Sequence, residues 1–341
     1  MKDNLAFAAH RADPLDDIAA NEVDTDGAAA PSSFLNDLQV GLARSQKSIS
    51  PKYFYDEQGS TLFDRICTLP EYYPTRTELG ILQTHAHDMA AHMGPHAEIV
   101  EFGAGSLHKV RLLLDAMEQP RRYIPIDISG DYLNVCAQSL RQAYPSLDVQ
   151  PHIADFTKEI VLAQQAPALG RRVGFFPGST LGNFEPGEAF RFLRQCARVL
   201  TGGALLLGAD LVKSPAVLHA AYNDRLGVTA DFNRNILARA NRELGANFQL
   251  HQFAHSAFYN AAVQRIEMHL MSTCRQAVQV AGNAYTFAEG ETLHTENSYK
   301  FTVDGLQQLA VQAGLTPGPV WTDPARQFCL LWLDAPTHHA G

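Results

Sequence analysis

Cysteine is scarce in this chain, and what there is lies scattered: Cys67, Cys136, Cys196, Cys274 and Cys329, an odd number with no close pair. That pattern supports no zinc ribbon, no CxxC redox motif and no disulfide framework, so free thiols in a reducing cytosol are expected. Basic residues are the minority, 27 against 36 acidic, for a net charge of −9 over 341 residues. Nucleic-acid phosphates need a basic face, and Arg121-Arg122 and Arg171-Arg172 are only isolated pairs. No nucleic-acid partner is expected. Long apolar runs are missing too. The longest, Ala204 to Ala209, is far too short to span a bilayer, and the N-terminus carries a charge every few residues where a signal peptide would need an apolar core. A cytoplasmic protein without a membrane partner is the expectation, and a monomer.

What is present is ordinary globular material, 46% hydrophobic, enough for about two domains or one large domain with insertions. Residues 1–31, rich in Ala and Asp without a sustained period, read as a flexible tail. From Ser33 the spacing is helical. The middle of the chain alternates apolar runs with amphipathic segments. Strands are expected at 98–102, 123–127, 149–154, 173–176 and 204–210, with helices over about 107–118, 130–143 and 188–200 between them. Such alternation implies a parallel sheet covered by helices on both faces. Residues 216–243 then read as largely helical and polar, and 248–258 and 266–280 as antiparallel strands. After them come a helix over 303–313 and a hairpin from 319–321 and 327–333 at the sheet edge. The fold class is therefore α/β: a Rossmann-like sheet with a second α+β region inserted after the fifth strand.

The strongest local signal is a strand, then Glu101-x-Gly103-x-Gly105, then a helix. Glycines let the backbone turn sharply and approach a ligand, and the helix N-terminus offers free N–H groups. A dinucleotide fingerprint needs a third glycine where His108 stands, which weakens a nicotinamide oxidoreductase. The acidic Glu101 suits instead the cationic S-adenosylmethionine. Asp127 ends the second strand, 22 residues past Gly105, where a carboxylate can take both ribose hydroxyls. Asp155-Phe156 ends the third, with a carboxylate for the adenine amino group and a ring for its face. The plainer alternative is a tight turn followed by two helix caps. Lys109, in the first turn of the helix, is open to two readings: a partner for the methionine carboxylate, or a solvated lysine.

Two further stretches carry a resemblance: Pro51 to Ser60, continuing through Leu62-Phe63-Asp64 to Leu69-Pro70-Glu71-Tyr72-Tyr73-Pro74-Thr75-Arg76, and Gly178-Ser179-Thr180-Leu181-Gly182-Asn183. With Glu101 to Gly105 and Thr295-Glu296-Asn297-Ser298-Tyr299-Lys300-Phe301, they closely resemble the histidine-specific N-alpha-methyltransferases of ergothioneine biosynthesis, over about residues 33–335. The resemblance implies three successive methyl transfers from S-adenosylmethionine to the α-amino group of L-histidine, giving the betaine hercynine, with no metal. Carried over by motif, Gly103, Lys109, Asp127, Asp155 and Phe156 would bind the cofactor. Tyr55, Tyr72, Gly178, Asn183, Tyr222, Met268, Glu296 and Ser298 would bind histidine, with Tyr55 and Asn183 nearest the chemistry. Asn297 and Tyr299 depart from a more apolar family segment.

An ammonium cannot attack, so the amine must be held unprotonated against the methyl carbon. No strong base is evident; proton loss to water, aided by a tyrosine hydroxyl, is the expected route. Asn183, Tyr72 and Tyr222 suit the amino acid carboxylate, and the Tyr55 ring or hydroxyl the nitrogen. Glu296 and Ser298, two apart on an extended segment, point the same way and can grip an imidazole. Taken singly, each tyrosine is as well read as half-buried core, and Met268 as a core residue of a strand. His85, His87, His92 and His96 are read as surface residues and not as a metal site. His251 and His255 would lie about 13 Å apart along a strand, too far to share an ion. The expected division is 76–212 plus 300–341 for cofactor binding and 32–75 plus 213–299 for substrate binding. The alternatives are a related methyltransferase acting on another amino acid or amine, and a non-catalytic S-adenosylmethionine-binding protein.

Overall fold

The computed structural model describes residues 33–105, 107–162 and 170–337; the expected tail at 1–31 lies outside them. The chain begins with α1 (Ser33–Leu42), a two-residue β1 (Lys47–Ser48), a 3-10 turn (Pro51–Phe54) and α2 (Glu57–Cys67). The long α3 (Tyr73–Met93) leads into the alternating part: β2 (Glu98–Phe102), α4 (Leu107–Ala116), β3 (Arg122–Asp127) and α5 (Gly130–Ala143). It continues through the short β4 (Asp148–Val149) and β5 (His152–Ile153), then β6 (Arg172–Phe176), α6 (Pro186–Val199) and β7 (Ala204–Asp210). Here β2 pairs in parallel with β3 and β6, and β6 with β7. Consecutive residues of β2 serve opposite faces: Ile99 joins a core with α3 and α4, while Val100 and Phe102 join one with α6. Burial on both faces is why these strands read as continuous apolar runs.

The chain then leaves the sheet for α7 (Pro215–Tyr222), α8 (Val228–Leu244), β8 (Phe253–Asn260), β9 (Arg265–Ser272), β10 (Gln276–Val280), β11 (Asn283–Phe287) and β12 (Thr292–Tyr299). It returns with α9 (Val303–Gln312), β13 (Thr316–Thr322) and β14 (Phe328–Asp334). The large sheet has the order β13-β14-β7-β6-β2-β3, with β4 and β5 both on the outer edge of β3. A second sheet has the order β1-β12-β9-β8, and β10-β11 forms a separate hairpin. The fold class is the expected one, a Rossmann-like sheet with an α+β insertion after its fifth strand. A single apolar cluster joins residues 34–73 to residues 218–293, so the N-terminal helices and the insertion share one core.

Three local expectations are corrected. The third strand breaks at Gln150-Pro151 into β4 and β5, because proline has no N–H for the ladder. The run 266–280 is two strands, and β10 turns back onto β11 at Ala281-Gly282, both with positive φ as a tight hairpin requires. His251 stands in a 3-10 turn (Leu250–Gln252) and not on a strand with His255. The largely helical stretch expected over 216–243 is present, as two helices parted where Asp224 accepts the N–H groups of Val228 and Thr229.

Candidate active site

The large sheet reverses its order between β2 and β6, the place where open α/β sheets bind ligands at the carboxyl ends of their strands. A cavity of about 1600 Å³ opens there, walled on the other side by the insertion and the N-terminal helices. It has room for a nucleoside and an amino acid together.

The half that the sequence motifs assign to the cofactor is made by strand ends. Gly103, after β2, has φ +75°, and a Cβ there would stand 3.3 Å from the Phe156 ring, so only glycine leaves this cradle open. Phe156 is held by an aromatic cluster with Phe176, Phe184 and Phe192. Asp127 accepts the Ser129 N–H at 2.8 Å, and burial raises its pKa. One oxygen of Asp155 is engaged by Thr157, and the other lies 3.8 Å from the Lys52 ammonium. Each carboxylate keeps acceptor capacity for a ligand. Lys109 is no solvated lysine: it lies 2.6 Å from Glu78, which is fully buried and accepts the Gly178 N–H on both oxygens. This tie holds α4, α3 and the loop after β6 in one geometry. Glu101, buried, accepts the Tyr123 hydroxyl, and burial pushes its pKa up to about 8. Near neutral pH it is therefore largely protonated, which weakens the expectation that it answers a sulfonium by charge.

The half that the motifs assign to the substrate is made by side chains from distant segments. Tyr55 follows the 3-10 turn that Pro51 opens, with its ring edge-on to Phe63 and Phe232. Tyr72 precedes α3 and meets Tyr222, the last residue of α7, ring to edge at 6.3 Å. Asn183 ends a 3-10 turn (Thr180–Asn183) whose preceding residue, Ser179, is left-handed at φ +58°. That conformation is tolerated because the Ser179 hydroxyl accepts the Asp210 N–H at 2.9 Å. On β12, Thr295 is a bulge: His294 lies opposite His269 and Glu296 opposite Met268, with Thr295 unpaired between them. The extra residue turns Glu296 onto the same face as Met268, Ile266 and Ser298. The Glu296 carboxylate faces the cavity with no hydrogen-bond partner among the described residues, and burial pushes its pKa up to about 7 against the pull of Lys300.

A family profile described as histidine-specific, S-adenosylmethionine-dependent methyltransferase matches residues 34–335. The chain belongs to that family. The histidine N-alpha-methyltransferase of Mycolicibacterium smegmatis is 43% identical over 317 residues, covering 91% of this chain and 97% of the relative. The enzyme of that name from Mycobacterium tuberculosis is 42% identical, covering 86% and 92%. Ergothioneine biosynthesis protein 1 of Neurospora crassa is 29% identical over 79% of this chain and 31% of its own length.

Every residue singled out from the methyltransferase motifs lines this one cavity. Their neighbours qualify two roles. The Tyr222 hydroxyl donates to Ser298 at 2.7 Å, so its proton serves the protein and does not stand free for a carboxylate. Burial raises the pKa of Tyr55, Tyr72 and Tyr222, so these phenols stay protonated and act as donors, not as bases. Sequence reasoning missed Glu78 and Lys300. Glu78 could have been noticed, since it shares a helical stripe with buried Ile81 and Leu82. Of the histidines set aside, His92 packs against Trp321 and Trp332. A different group, Glu267, His269 and His294, brings its ligand atoms within 4.8 Å of one another on the face of β9 and β12 opposite Met268. There Arg265 already pairs with Glu267 and the two imidazoles stack at 4.6 Å. No helix of the described residues is long and apolar enough to cross a membrane.

Proposed function

We propose that this cavity methylates the α-amino group of L-histidine three times in succession, consuming three S-adenosylmethionine and giving hercynine on the route to ergothioneine. The observation that carries the reading is Glu296: a partnerless carboxylate, beside a serine hydroxyl, across one cavity from a glycine cradle. Such a group is costly to leave unpaired, and an azole N–H answers it. The names of the mycobacterial and fungal relatives support the same substrate and pathway.

The residues present fit the methyl donor: Gly103 leaves the space, Asp127 and Asp155 offer acceptors, Phe156 offers a ring face, and Lys109 retains donors beyond its contact with Glu78. Bound there, S-adenosylmethionine supplies an electrophilic methyl on a positively charged leaving group. The large-sheet segments, 76–212 and 300–341, hold this side, and 32–75 with 213–299 grip the amino acid. Asn183 and Tyr72 hold the substrate carboxylate and fix the amine. Tyr55 offers its ring face to a nitrogen that becomes a permanent cation after the third transfer. With the cavity tyrosines held protonated, the amine's protons leave to water, and the third transfer needs only the free tertiary amine.

Incubating the purified protein with S-adenosylmethionine and each amino acid in turn tests the reading. Methyl transfer to histidine exceeding that to every other amino acid supports it. Equal transfer to tryptophan or another aromatic amino acid would overturn the role given to Glu296.

A further inference from the structure

Behind Ser298 lies a buried cation that the proposed reaction does not use. Lys300 is 3% exposed, and its ammonium has three donors and three acceptors: Ser298 Oγ at 2.7 Å, Tyr222 Oη at 3.2 Å and Asp210 Oδ2 at 2.9 Å. Burial works against its charge, but Asp210 and Tyr222 outweigh burial and hold its pKa above the ordinary lysine range. Asp210 is itself buried, and Tyr73 and Lys213 also hold it. Ser298 receives two of these hydrogen bonds, one from Lys300 and one from Tyr222, each at 2.7 Å. A serine oxygen has two lone pairs and one proton. Both lone pairs are taken, so only the proton is left to meet a ligand. Two residues away on the same face, an ionised Glu296 can only accept. The cavity wall therefore presents one obligate donor beside one obligate acceptor.

We infer that Lys300 is a positioning residue that turns Ser298 into an obligate donor, so that the site selects the neutral imidazole of histidine in a single tautomer. The ring nitrogen facing Ser298 carries a lone pair, and the nitrogen facing Glu296 carries the proton. An imidazolium would press an N–H against a hydroxyl with no lone pair to offer, a mismatch that lowers affinity by about ten- to a hundredfold. The inference rests on histidine being the substrate. The titratable groups at this end of the cavity are Glu296, Tyr55, Tyr72, Tyr222 and Cys67, backed by the Lys300–Asp210 pair. Of these, Glu296 alone changes charge near neutrality, and it sits on the acceptor side.

The test is nitrogen NMR of ring-labelled histidine bound to the full chain, with S-adenosylhomocysteine in place of the methyl donor, at about pH 8, where Glu296 is ionised and free histidine exchanges between its two neutral tautomers. The wild-type protein is expected to show one pyridine-type and one pyrrole-type ring nitrogen. In Lys300→Met the Ser298 oxygen regains a lone pair, while Tyr73 and Lys213 still hold Asp210. The bound ring should then show either nitrogen signals averaged over both tautomers or two pyrrole-type nitrogens, and KM for histidine should rise about tenfold with kcat changed less than threefold. Ser298→Ala removes the hydroxyl without touching the ion pair and should likewise lose the single-tautomer spectrum. Two pyrrole-type nitrogens, or two tautomer-averaged ones, in the wild type overturn the inference, as does an unchanged spectrum in both variants. If histidine gives no bound signal at all, the substrate assignment falls, and this inference with it.

Discussion

The two halves of the cavity are built in different ways. The cofactor half is backbone geometry and caps at successive strand ends: a positive-φ glycine, a ring against it, and carboxylates that already accept from their own loops. The substrate half is a convergence of side chains from the N-terminal turns, α7, β9, β12 and the loop after β6. Its decisive carboxylate is left without a partner. A strand end places its residues locally, so the first half is tolerant and general. The second depends on a bulge and a buried ion pair that hold distant segments in register, and the proposed function puts selectivity there.

The largest effect expected from breaking this comparison is at Glu296. Glu296→Ala should lower kcat/KM for histidine by about a thousandfold, the loss of a charge-assisted hydrogen bond in a buried site. The dissociation constant for S-adenosylmethionine should move less than about twofold; calorimetry and steady-state rates on the same preparation check both. The converse variant is Gly103→Ala. Its Cβ meets both an unfavourable φ and the Phe156 ring, so cofactor affinity should fall about ten- to a hundredfold. KM for histidine at saturating cofactor should stay within about threefold.

The unpartnered carboxylate also has a stability signature. Its folded pKa of about 7 lies above the ordinary 4.5, so between these values the folded chain keeps a proton that the unfolded chain has lost. Stability is penalised as pH rises through that window, and the penalty is complete above pH 7. Glu296→Gln should therefore stabilise the ligand-free protein by about 3 kcal/mol near pH 8 and hardly at all near pH 4. Denaturant unfolding at the two pH values measures it. A variant that loses activity while gaining stability at high pH separates a functional carboxylate from a structural one.

The smallest effect is expected at the bulge. The Thr295 hydroxyl bonds to Asn233 and to the Met268 carbonyl, so Thr295→Val should destabilise by about 1–2 kcal/mol and raise KM for histidine a few fold. Cofactor affinity should not change. If it does, the two halves are coupled more tightly than their geometry implies.

This contrast explains what could be read from the chain. Glu101 to Gly105, Asp127 and Asp155-Phe156 each lie within a few residues of a strand end, where a local pattern is enough. The same holds for the parallel order of β2, β3, β6 and β7, whose apolar runs announce burial on both faces. Glu296 and Ser298 were legible as a pair, because side chains two apart on an extended segment share a face. The bulge that aims them was not, because nothing at Thr295 distinguishes an extra residue from a paired one. The role of Lys300, though the residue stands in the motif, was hidden for a related reason. Its meaning comes from Asp210, ninety residues away at the end of β7, and from a tyrosine on α7. The Lys109–Glu78 pair is similar: the lysine could be placed at the cavity, while its buried partner sits on another helix.

One measurement bears most directly on the whole account: tandem mass spectrometry of the product formed from histidine and excess S-adenosylmethionine. The account predicts a product three methyl groups heavier than histidine, whose fragments place all three on the α-nitrogen and leave the ring unmodified. Methyl groups on the imidazole, or a histidine left unmodified while another amine is methylated, would contradict it.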